Sequence, residues 1–511
     1  MAVSHQWFVQ WSAPPMIFTD ITSQYNSVNK RWKNDDPKWS DPLQVPEQRD
    51  DIYNGYPKHG SLIENDNYKF KSDRLKNNDR ASAAGITLWL TMLGTMHAQS
   101  MPADNDTPPF STLYKWKHID YEFPSPKHRW NALRTGKFVP ANVLPLGLEV
   151  WGNRVWVTMP AWRRGVPATL ATLPRQGGLA SPQLRPYPDW SFHRLFDMKN
   201  CTGLTSVFRV QADPCGRLWV LDSGQIDSQD NPKQLCPPSV VVFDLQTDKL
   251  IARYPIPEQY VLQDSLFANL IIDTRTQDCS DLHVYIADTW RFGLLVFRQS
   301  DLTFWRFSNP LFFPDPLASN FTLHGLNFQW TDGIFGLALT PIDPFEERIL
   351  FFHALSSYRE FYVSTSVLRE PSRVDNSSME FKLAGESRGL NGHASASAID
   401  RRGVMFYGLV TQDSIGCWDT RKPYKKKNTE VVALNSETLI FPNDMKIDHD
   451  TRQSLWVISN RLPMFQAGPL DPDDYNYRIL YADTREAVRG TVCDPETDHQ
   501  LHANILHRGW P

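Results

Sequence analysis

Polar side chains directly precede several short apolar segments of the chain, and their types could support binding or proton transfer. Asn269 precedes LIID, Asp332 precedes GIFG, His393 precedes ASASA, and Asn443 with Asp444 precedes MKID. A carboxylate or amide oxygen can hold a cationic group, and histidine is the side chain whose ordinary pKa lies nearest neutrality. His393 is therefore the candidate general base, and the other four residues are candidate ligand contacts.

Two aromatic side chains, Phe335 and Phe441, lie close to these polar positions in the sequence. Recognition of an organic ammonium group needs an aromatic face beside a carboxylate, so both are candidate walls of a binding channel. Two other interpretations stay open. Each polar group could satisfy backbone groups at the end of a strand, and the Asn and Asp oxygens could together hold Ca²⁺. Metal analysis of chelator-treated protein would test the Ca²⁺ interpretation; no other cofactor is expected.

The elements that must position these side chains repeat along the chain. An apolar four-residue strand, often with an aromatic second residue, recurs about every sixty residues, and the spacing shortens to about fifty near the end. Another apolar strand precedes each copy, and a turn rich in Gly, Asp, Asn or Arg joins the two. The copies lie at 155–158, 218–221, 284–287, 350–353, 405–408 and 455–458.

Six such units of about four strands, without a convincing long helix between them, predict an all-β, six-bladed β-propeller. Ligands in a propeller favour the central channel, so the candidate residues would converge around one axis. The ring must be closed, because the first and last sheets would otherwise present unpaired edges. The strand-like segment 114–123 precedes the first blade, and we expect it to complete the last one. An independent N-terminal arm is the alternative.

The composition of this 511-residue chain limits the classes of partner that it can bind. The chain is rich in aromatic residues and proline, with 12% aromatic residues and 38 Pro, as expected for a strand-and-turn protein. The net charge of −4 and the absence of a basic stripe argue against nucleic-acid binding.

Residues 1–80 differ from the rest, since they are polar and lack apolar periodicity, and we interpret them as a disordered extension. Residues 81–100 contain the apolar run AAGITLWLTMLGTM followed by AQS, which is typical of a signal peptide except in position. An incorrect gene model or alternative transcript would explain this arrangement. A signal anchor and a buried apolar segment are the alternatives. The run is short for a membrane span, so no stable membrane insertion is expected.

The cysteines favour an extracellular chain. There are six, and none forms a CxxC pair or lies at zinc-ligand spacing with histidines, so disulfides are predicted. Cys201 and Cys215 flank one strand of the second blade, and we expect them to pair. Cys236 with Cys279 would then join the second and third blades, and Cys417 with Cys493 would form the third disulfide.

Glycosylation sequons agree with secretion. They lie at Asn105, Asn200, Asn320 and Asn376. Together with the cysteines, they predict that residues 101–511 form a secreted domain.

Several longer motifs carry a family resemblance. The segments NCTGLTSVFR at 200–209, LWVLDSG at 218–224, DGIFGLAL at 332–339 and SIGCWD at 414–419 resemble the insect Yellow and major royal jelly protein family. The resemblance covers roughly residues 110–495 and implies a secreted six-bladed propeller. It also implies a role in melanin or cuticle pigmentation.

Two functions from different classes follow from that resemblance. One is an enzyme that converts dopachrome by a proton shift or decarboxylation, with His393 as base. The other is a non-catalytic binder of biogenic amines or of structural or royal-jelly-like partners. Both imply a small catecholic, indolic or amine ligand in the channel, and the oligomeric state stays open.

Overall fold

The computed structural model describes residues 110–178, 180–193, 201–228 and 231–496. The predictions for residues 1–80 and 81–100, and the sequons at Asn105 and Asn200, lie outside this range. The described residues form six four-stranded antiparallel sheets arranged as the blades of a propeller, which confirms the predicted fold class. No helix in the described ranges has the length and apolarity to cross a bilayer.

The first three blades follow one another along the chain, and each starts with its innermost strand. Strand β1 (Ser111–Trp116) precedes them. Blade 1 contains β2 (Gly147–Trp151), β3 (Arg154–Thr158), β4 (Leu170–Pro174) and β5 (Arg185–Pro186). Blade 2 contains β6 (Val207–Ala212), β7 (Arg217–Asp222), β10 (Ser239–Asp244) and β11 (Leu250–Pro255), with an inserted hairpin of β8 (Gln225–Ile226) and β9 (Lys233–Gln234). Blade 3 contains β12 (Phe267–Thr274), β13 (Leu282–Asp288), β14 (Gly293–Arg298) and β15 (Thr303–Ser308).

A second hairpin, β16 (Asn320–Leu323) and β17 (Leu326–Gln329), separates blades 3 and 4. Blade 4 contains β18 (Ile334–Leu339), β19 (Ile349–Ala354), β20 (Phe361–Ser364) and β21 (Lys382–Leu383). Blade 5 contains β22 (Ala394–Ile399), β23 (Val404–Leu409), β24 (Ser414–Asp419) and β25 (Thr429–Leu434). Blade 6 contains β26 (Pro442–Ile447), β27 (Ser454–Ser459), β28 (Tyr477–Asp483) and β1. The short helices are α1 (Pro126–Arg134), α2 (Thr365–Leu368), α3 (Leu462–Ala467) and α4 (Thr484–Val488).

The second strand of each blade is buried because it lies inside its sheet, between neighbouring blades. All six repeats found in the sequence lie in these strands: β3, β7, β13, β19, β23 and β27. In three blades an aspartate near the end of the innermost strand accepts a hydrogen bond from an aromatic side chain of the second strand, which fixes the turn between the two. The pairs are Trp219 with Asp213 at 2.8 Å, Tyr285 with Asp273 at 2.8 Å and Trp456 with Asp448 at 3.0 Å.

The ring is closed by the N-terminal strand, as predicted. β1 pairs antiparallel with β28, from Ser111 opposite Tyr481 to Trp116 opposite Tyr477. The strand begins before the expected segment 114–123 and ends within it. Beyond the strand, Tyr121 forms an isolated bridge with Leu184, after the third strand of blade 1. The N-terminal segment therefore connects the last blade with the first.

All six cysteines form disulfides, but two of the three predicted pairings are wrong. The pairs are Cys201–Cys236, Cys215–Cys279 and Cys417–Cys493, and only the last was predicted. Cys201 and Cys215 cannot meet because the six-residue strand β6 between them is about 20 Å long, whereas paired Cα atoms lie within roughly 7 Å. Cys201, which precedes β6, pairs instead with Cys236, which follows the hairpin β8–β9 of the same blade. Cys215 and Cys279, both in turns after innermost strands, join blades 2 and 3.

Candidate functional site

The innermost strands surround the channel, and each has one edge that no strand covers. Backbone groups along such an edge need other partners. A ring of side-chain bonds from each blade to the next supplies them. The bonds run from Asp444 to the Leu148 N–H (3.0 Å), Glu149 to the Ala212 N–H (2.9 Å), Gln211 to the Ile272 N–H (3.0 Å), Asn269 to the Phe335 carbonyl (2.8 Å), His353 to the Ser395 carbonyl (2.7 Å), and the Ser395 hydroxyl to the Pro442 carbonyl.

Arg209 lies across the channel at the level of this ring. Its guanidinium is fully buried and donates to the Leu146 carbonyl of blade 1 at 3.1 Å and to the Asn443 side chain of blade 6 at 2.8 Å. It also forms an ion pair with Asp444 at 3.4 Å and stands 5.5 Å from the centre of the Phe335 ring of blade 4. One side chain from blade 2 thus contacts three other blades.

Four of the predicted residues therefore meet around one arginine. Asn443, Asp444 and Phe335 contact Arg209 directly, and Asn269 donates to the backbone of Phe335. Their polar atoms hold the blades together, as one of the interpretations from sequence expected. Arg209 was not singled out from sequence, although a cation inside the apolar segment VFRV was the available signal.

A cavity of 270 Å³ occupies the part of the channel near the ends of the innermost strands. All six blades contribute to its wall. A volume just below the usual range of about 300–1,000 Å³ suits one small organic molecule. The lining includes Glu149, Gln211, Asn269, Leu337, Ser397 and Lys446.

Glu149 is the distinctive side chain of this cavity. Only 1% of it is exposed, and its carboxylate accepts from the Val150 N–H at 2.7 Å and the Ala212 N–H at 2.9 Å. Burial raises the pKa of Glu149 to about 7, and this effect exceeds the opposing influence of the nearby Lys446 ammonium and the two N–H bonds. At neutral pH the carboxyl group can therefore both accept and donate a proton.

Ser397 supplies a second reactive group to the same wall. It is 6% exposed, and its hydroxyl oxygen is buried without a hydrogen-bond partner among the described residues. Buried polar atoms in proteins are usually bonded, so an unpaired hydroxyl in a cavity wall indicates a place for a polar ligand atom. Glu149 and Ser397 were both missed from sequence, because a polar residue in a strand does not reveal which face points at the axis.

The opposite mouth, at the starts of the innermost strands, is covered by the hairpin β16–β17. The ring of Phe321 stacks on His393 at 3.8 Å between centroids, and Trp330, just after β17, contacts Phe441 edge-on at 5.8 Å. The hairpin tip is held by a hydrogen bond from His324 to the Asp413 carboxylate at 2.6 Å. An aromatic cover thus closes this end of the channel.

His393 lies beneath that cover. Its Nε2–H donates to the Ala318 carbonyl at 2.9 Å, and its Nδ1 is 3.3 Å from the Thr411 hydroxyl. Burial lowers the pKa of His393 to about 4, so its ring is neutral at pH 7. The structure does not place His393 in the wall of the cavity, and its role as a base stays a prediction.

Asp332 lies near the same mouth and apart from the Arg209 group. It is half-buried, and its carboxylate accepts from the Trp290 indole N–H at 3.1 Å. Burial raises the pKa of Asp332 to about 6, so at pH 7 most of it is ionised. It therefore remains able to hold a cation beside aromatic rings.

Among the described residues, one group of side chains has the spacing of a metal site, namely Asp213 with Cys215 and Cys279. The two sulfurs are joined in a disulfide, which removes the thiolates that a metal would need. The predicted Ca²⁺ ligands Asn269, Asn443 and Asp444 instead bond backbone groups or Arg209.

These features define a six-bladed propeller whose channel holds a small polar cavity with a titratable carboxyl group. Residues 205–493 match the family described as "Major royal jelly protein", and the chain belongs to that family, which includes the Yellow proteins. It is 42% identical to "Dopaminechrome tautomerase" of Drosophila melanogaster over 392 residues, covering 76% of this chain and 84% of that protein. It is 39% identical to "Protein yellow" of the same species, covering 75% of this chain and 70% of that protein.

Solved structures are similar only distantly. A virginiamycin B lyase from Staphylococcus aureus aligns with 67% of this chain over 95% of its own length. The TM-score is 0.35 and the sequence identity is 10%. A likeness at this level does not inform the function.

Proposed function

We propose that this Yellow-family protein acts in melanin-type pigmentation by converting aminochromes, the indoline quinones formed from oxidised catecholamines or catechol amino acids, into dihydroxyindoles. The observation that carries this proposal is Glu149, a buried carboxyl with a pKa near 7 in the wall of a ligand-sized cavity. The relative named for dopaminechrome supports the substrate class.

The chemistry is a redox-neutral proton shift. An aminochrome loses one proton from C2 and one from C3, each quinone oxygen gains a proton, and the C2–C3 bond becomes double. Substrate and product are isomers, so no oxidant, reductant or cofactor is consumed. What the reaction needs is a base beside the carbon acid and a dipole for the oxygen that gains negative charge.

Two side chains fit those roles. The Glu149 carboxylate takes the C3 proton, and the electron pair of that bond moves through the ring to a quinone oxygen. The unpaired Ser397 hydroxyl donates a hydrogen bond to that oxygen as its charge develops. Glu149, rather than His393, is proposed as the base because Glu149 lines the cavity, whereas His393 lies outside the cavity wall.

The test compares initial rates of aminochrome loss, followed by its visible absorbance. The wild-type protein, Glu149→Gln and the matched surface control Glu258→Gln are compared, each against its own heat-denatured sample. We expect wild type and control to accelerate the reaction, and Glu149→Gln to lose roughly 100-fold or more in kcat. No acceleration by folded wild type, or full activity of Glu149→Gln, would overturn the proposal.

A second candidate function is the binding of biogenic amines at the opposite mouth. Asp332 favours it, since a half-buried carboxylate beside the Trp290 indole offers an anion and an aromatic ring to an ammonium group. Calorimetric titration with dopamine or serotonin tests this function. Saturable heat that disappears in Asp332→Asn and persists in Glu149→Gln would support it, and no heat would reject it.

We also propose that the protein is secreted. Three disulfides persist best in an oxidising compartment, and the sequon residues Asn320 and Asn376 are exposed. Expression of the full chain in insect cells, with mass spectrometry of medium and lysate, tests it. We expect a glycosylated protein in the medium; an unglycosylated protein retained in the cells would contradict it.

A further inference from the structure

We propose that Lys446 makes the cavity selective for aminochromes that carry a carboxylate, and that it holds this carboxylate during the proton shift so that the product keeps it. The inference rests on the function proposed above and deepens it by naming the substrate class.

Lys446 is placed to meet a ligand. It lies two residues after Asp444 on β26, and alternate residues of a strand share a face, so both point toward the channel. It is partly exposed and lines the same cavity as Glu149 and Ser397. Among the described residues it has neither a hydrogen bond nor an ion pair, so its ammonium group is available.

The other charges in the cavity wall are largely neutralised. Asp444 is paired with Arg209 at 3.4 Å, Asp448 with Arg175 at 2.8 Å, and Arg348 with Asp273 at 2.9 Å. Arg401 also lines the cavity and donates only to backbone carbonyls, those of His449 and Thr451. Two cations without a carboxylate partner therefore face one carboxyl group, Glu149, and such a wall favours an anionic ligand.

The spacing of charges fits the substrate. In a carboxylated aminochrome the carboxylate is on C2 and the proton to be removed is on the adjacent C3. A base that reaches C3 and a cation that reaches the carboxylate must then be neighbours. Glu149 and Lys446 lie on the neighbouring innermost strands β2 and β26, which the 3.0 Å bond from the Leu148 N–H to Asp444 joins, and both line the same cavity.

The same contact determines the product. Loss of carbon dioxide would require the carboxylate to give its bonding electrons to the ring, and its negative charge would leave the ammonium group. Ion pairing stabilises the carboxylate and opposes that step. The protons from C2 and C3 move to the two quinone oxygens, and the product is the dihydroxyindole-2-carboxylate. Such a substrate must come from oxidation and ring closure of a catechol amino acid rather than of a catecholamine.

The kinetic test compares dopachrome, which carries the carboxylate, with dopaminechrome, which lacks it. Wild type, Lys446→Met and Lys382→Met are assayed at pH 8.5; Lys382 is exposed on the outermost strand of blade 4 and serves as the matched control. We expect wild type and control to favour dopachrome by about tenfold in kcat/KM, and Lys446→Met to bring the ratio close to one. Separation of the products should show the carboxylated indole.

Binding provides an independent measurement with the stable probes 5-hydroxyindole-2-carboxylate and 5-hydroxyindole. Wild type should bind the carboxylated probe about tenfold more tightly, and Lys446→Met should lose that difference. Equal affinities or equal kcat/KM for the two substrates would overturn the selectivity while leaving the proposed reaction in place. A decarboxylated product would overturn the retention of the carboxylate. Absence of any acceleration would overturn the reaction, and the binding ratio would still decide the role of Lys446.

Discussion

The rate of aminochrome conversion should depend on pH through Glu149. With a pKa near 7, about one tenth of this carboxyl is ionised at pH 6 and about nine tenths at pH 8, so kcat/KM should rise about tenfold between them. A carboxyl with an ordinary pKa would already be almost fully ionised at pH 6, and the profile would be nearly flat. The rise therefore reports the burial of Glu149.

Lys446→Met should shift the pH profile of kcat/KM to higher pH. The ammonium of Lys446 lowers the pKa of Glu149 against the effect of burial, so its removal should raise the pKa and shift the rise in kcat/KM to higher pH. The assay is the initial loss of visible absorbance from pH 5.5 to 8.5, corrected with heat-denatured protein at each pH. A flat profile, or a shift to lower pH in Lys446→Met, would refute the reasoning.

Three further predictions concern single features of the structure. Ser397→Ala should lower kcat/KM about tenfold but leave the melting temperature nearly unchanged, because its hydroxyl bonds no described protein atom; a large loss of stability would reject this account. Replacing Cys215 and Cys279 together with serine should lower the free energy of unfolding in denaturant titrations by about 4 kcal/mol, since the disulfide closes 64 residues of chain; an unchanged midpoint would contradict this. His393→Ala should lower the free energy of unfolding by about 3 kcal/mol through the lost stack on Phe321 and the lost hydrogen bond to Ala318, and the rate that remains should keep its rise near pH 7; loss of nearly all acceleration by the folded variant would support His393 as the base.

The sequence predicted the architecture because the signals for it are local and repeated. Each second strand is an apolar run of four residues, and six copies at similar spacing indicate six blades. The closing strand was predictable for a physical reason, since an open ring would leave a sheet edge unpaired. The cysteine pairs were harder, because pairing depends on which ends of the strands are adjacent in space.

The site was predictable only in part. The structure brings Asn269, Asn443 and Asp444 together around Arg209, which comes from another blade and was not singled out from sequence. Glu149 looks like an ordinary strand residue until the fold shows that it lines the cavity with only 1% of its surface exposed. Its raised pKa is a consequence of burial by six blades, and no short segment of the sequence contains that information.

The location of the ligand is the central claim, and a structure with 5-hydroxyindole-2-carboxylate bound tests it most directly. We predict density for the indole in the 270 Å³ cavity, with the probe carboxylate at Lys446 and ring carbon C3 facing Glu149. Density beneath the hairpin beside Asp332 instead, with the Glu149 cavity empty, would contradict the account.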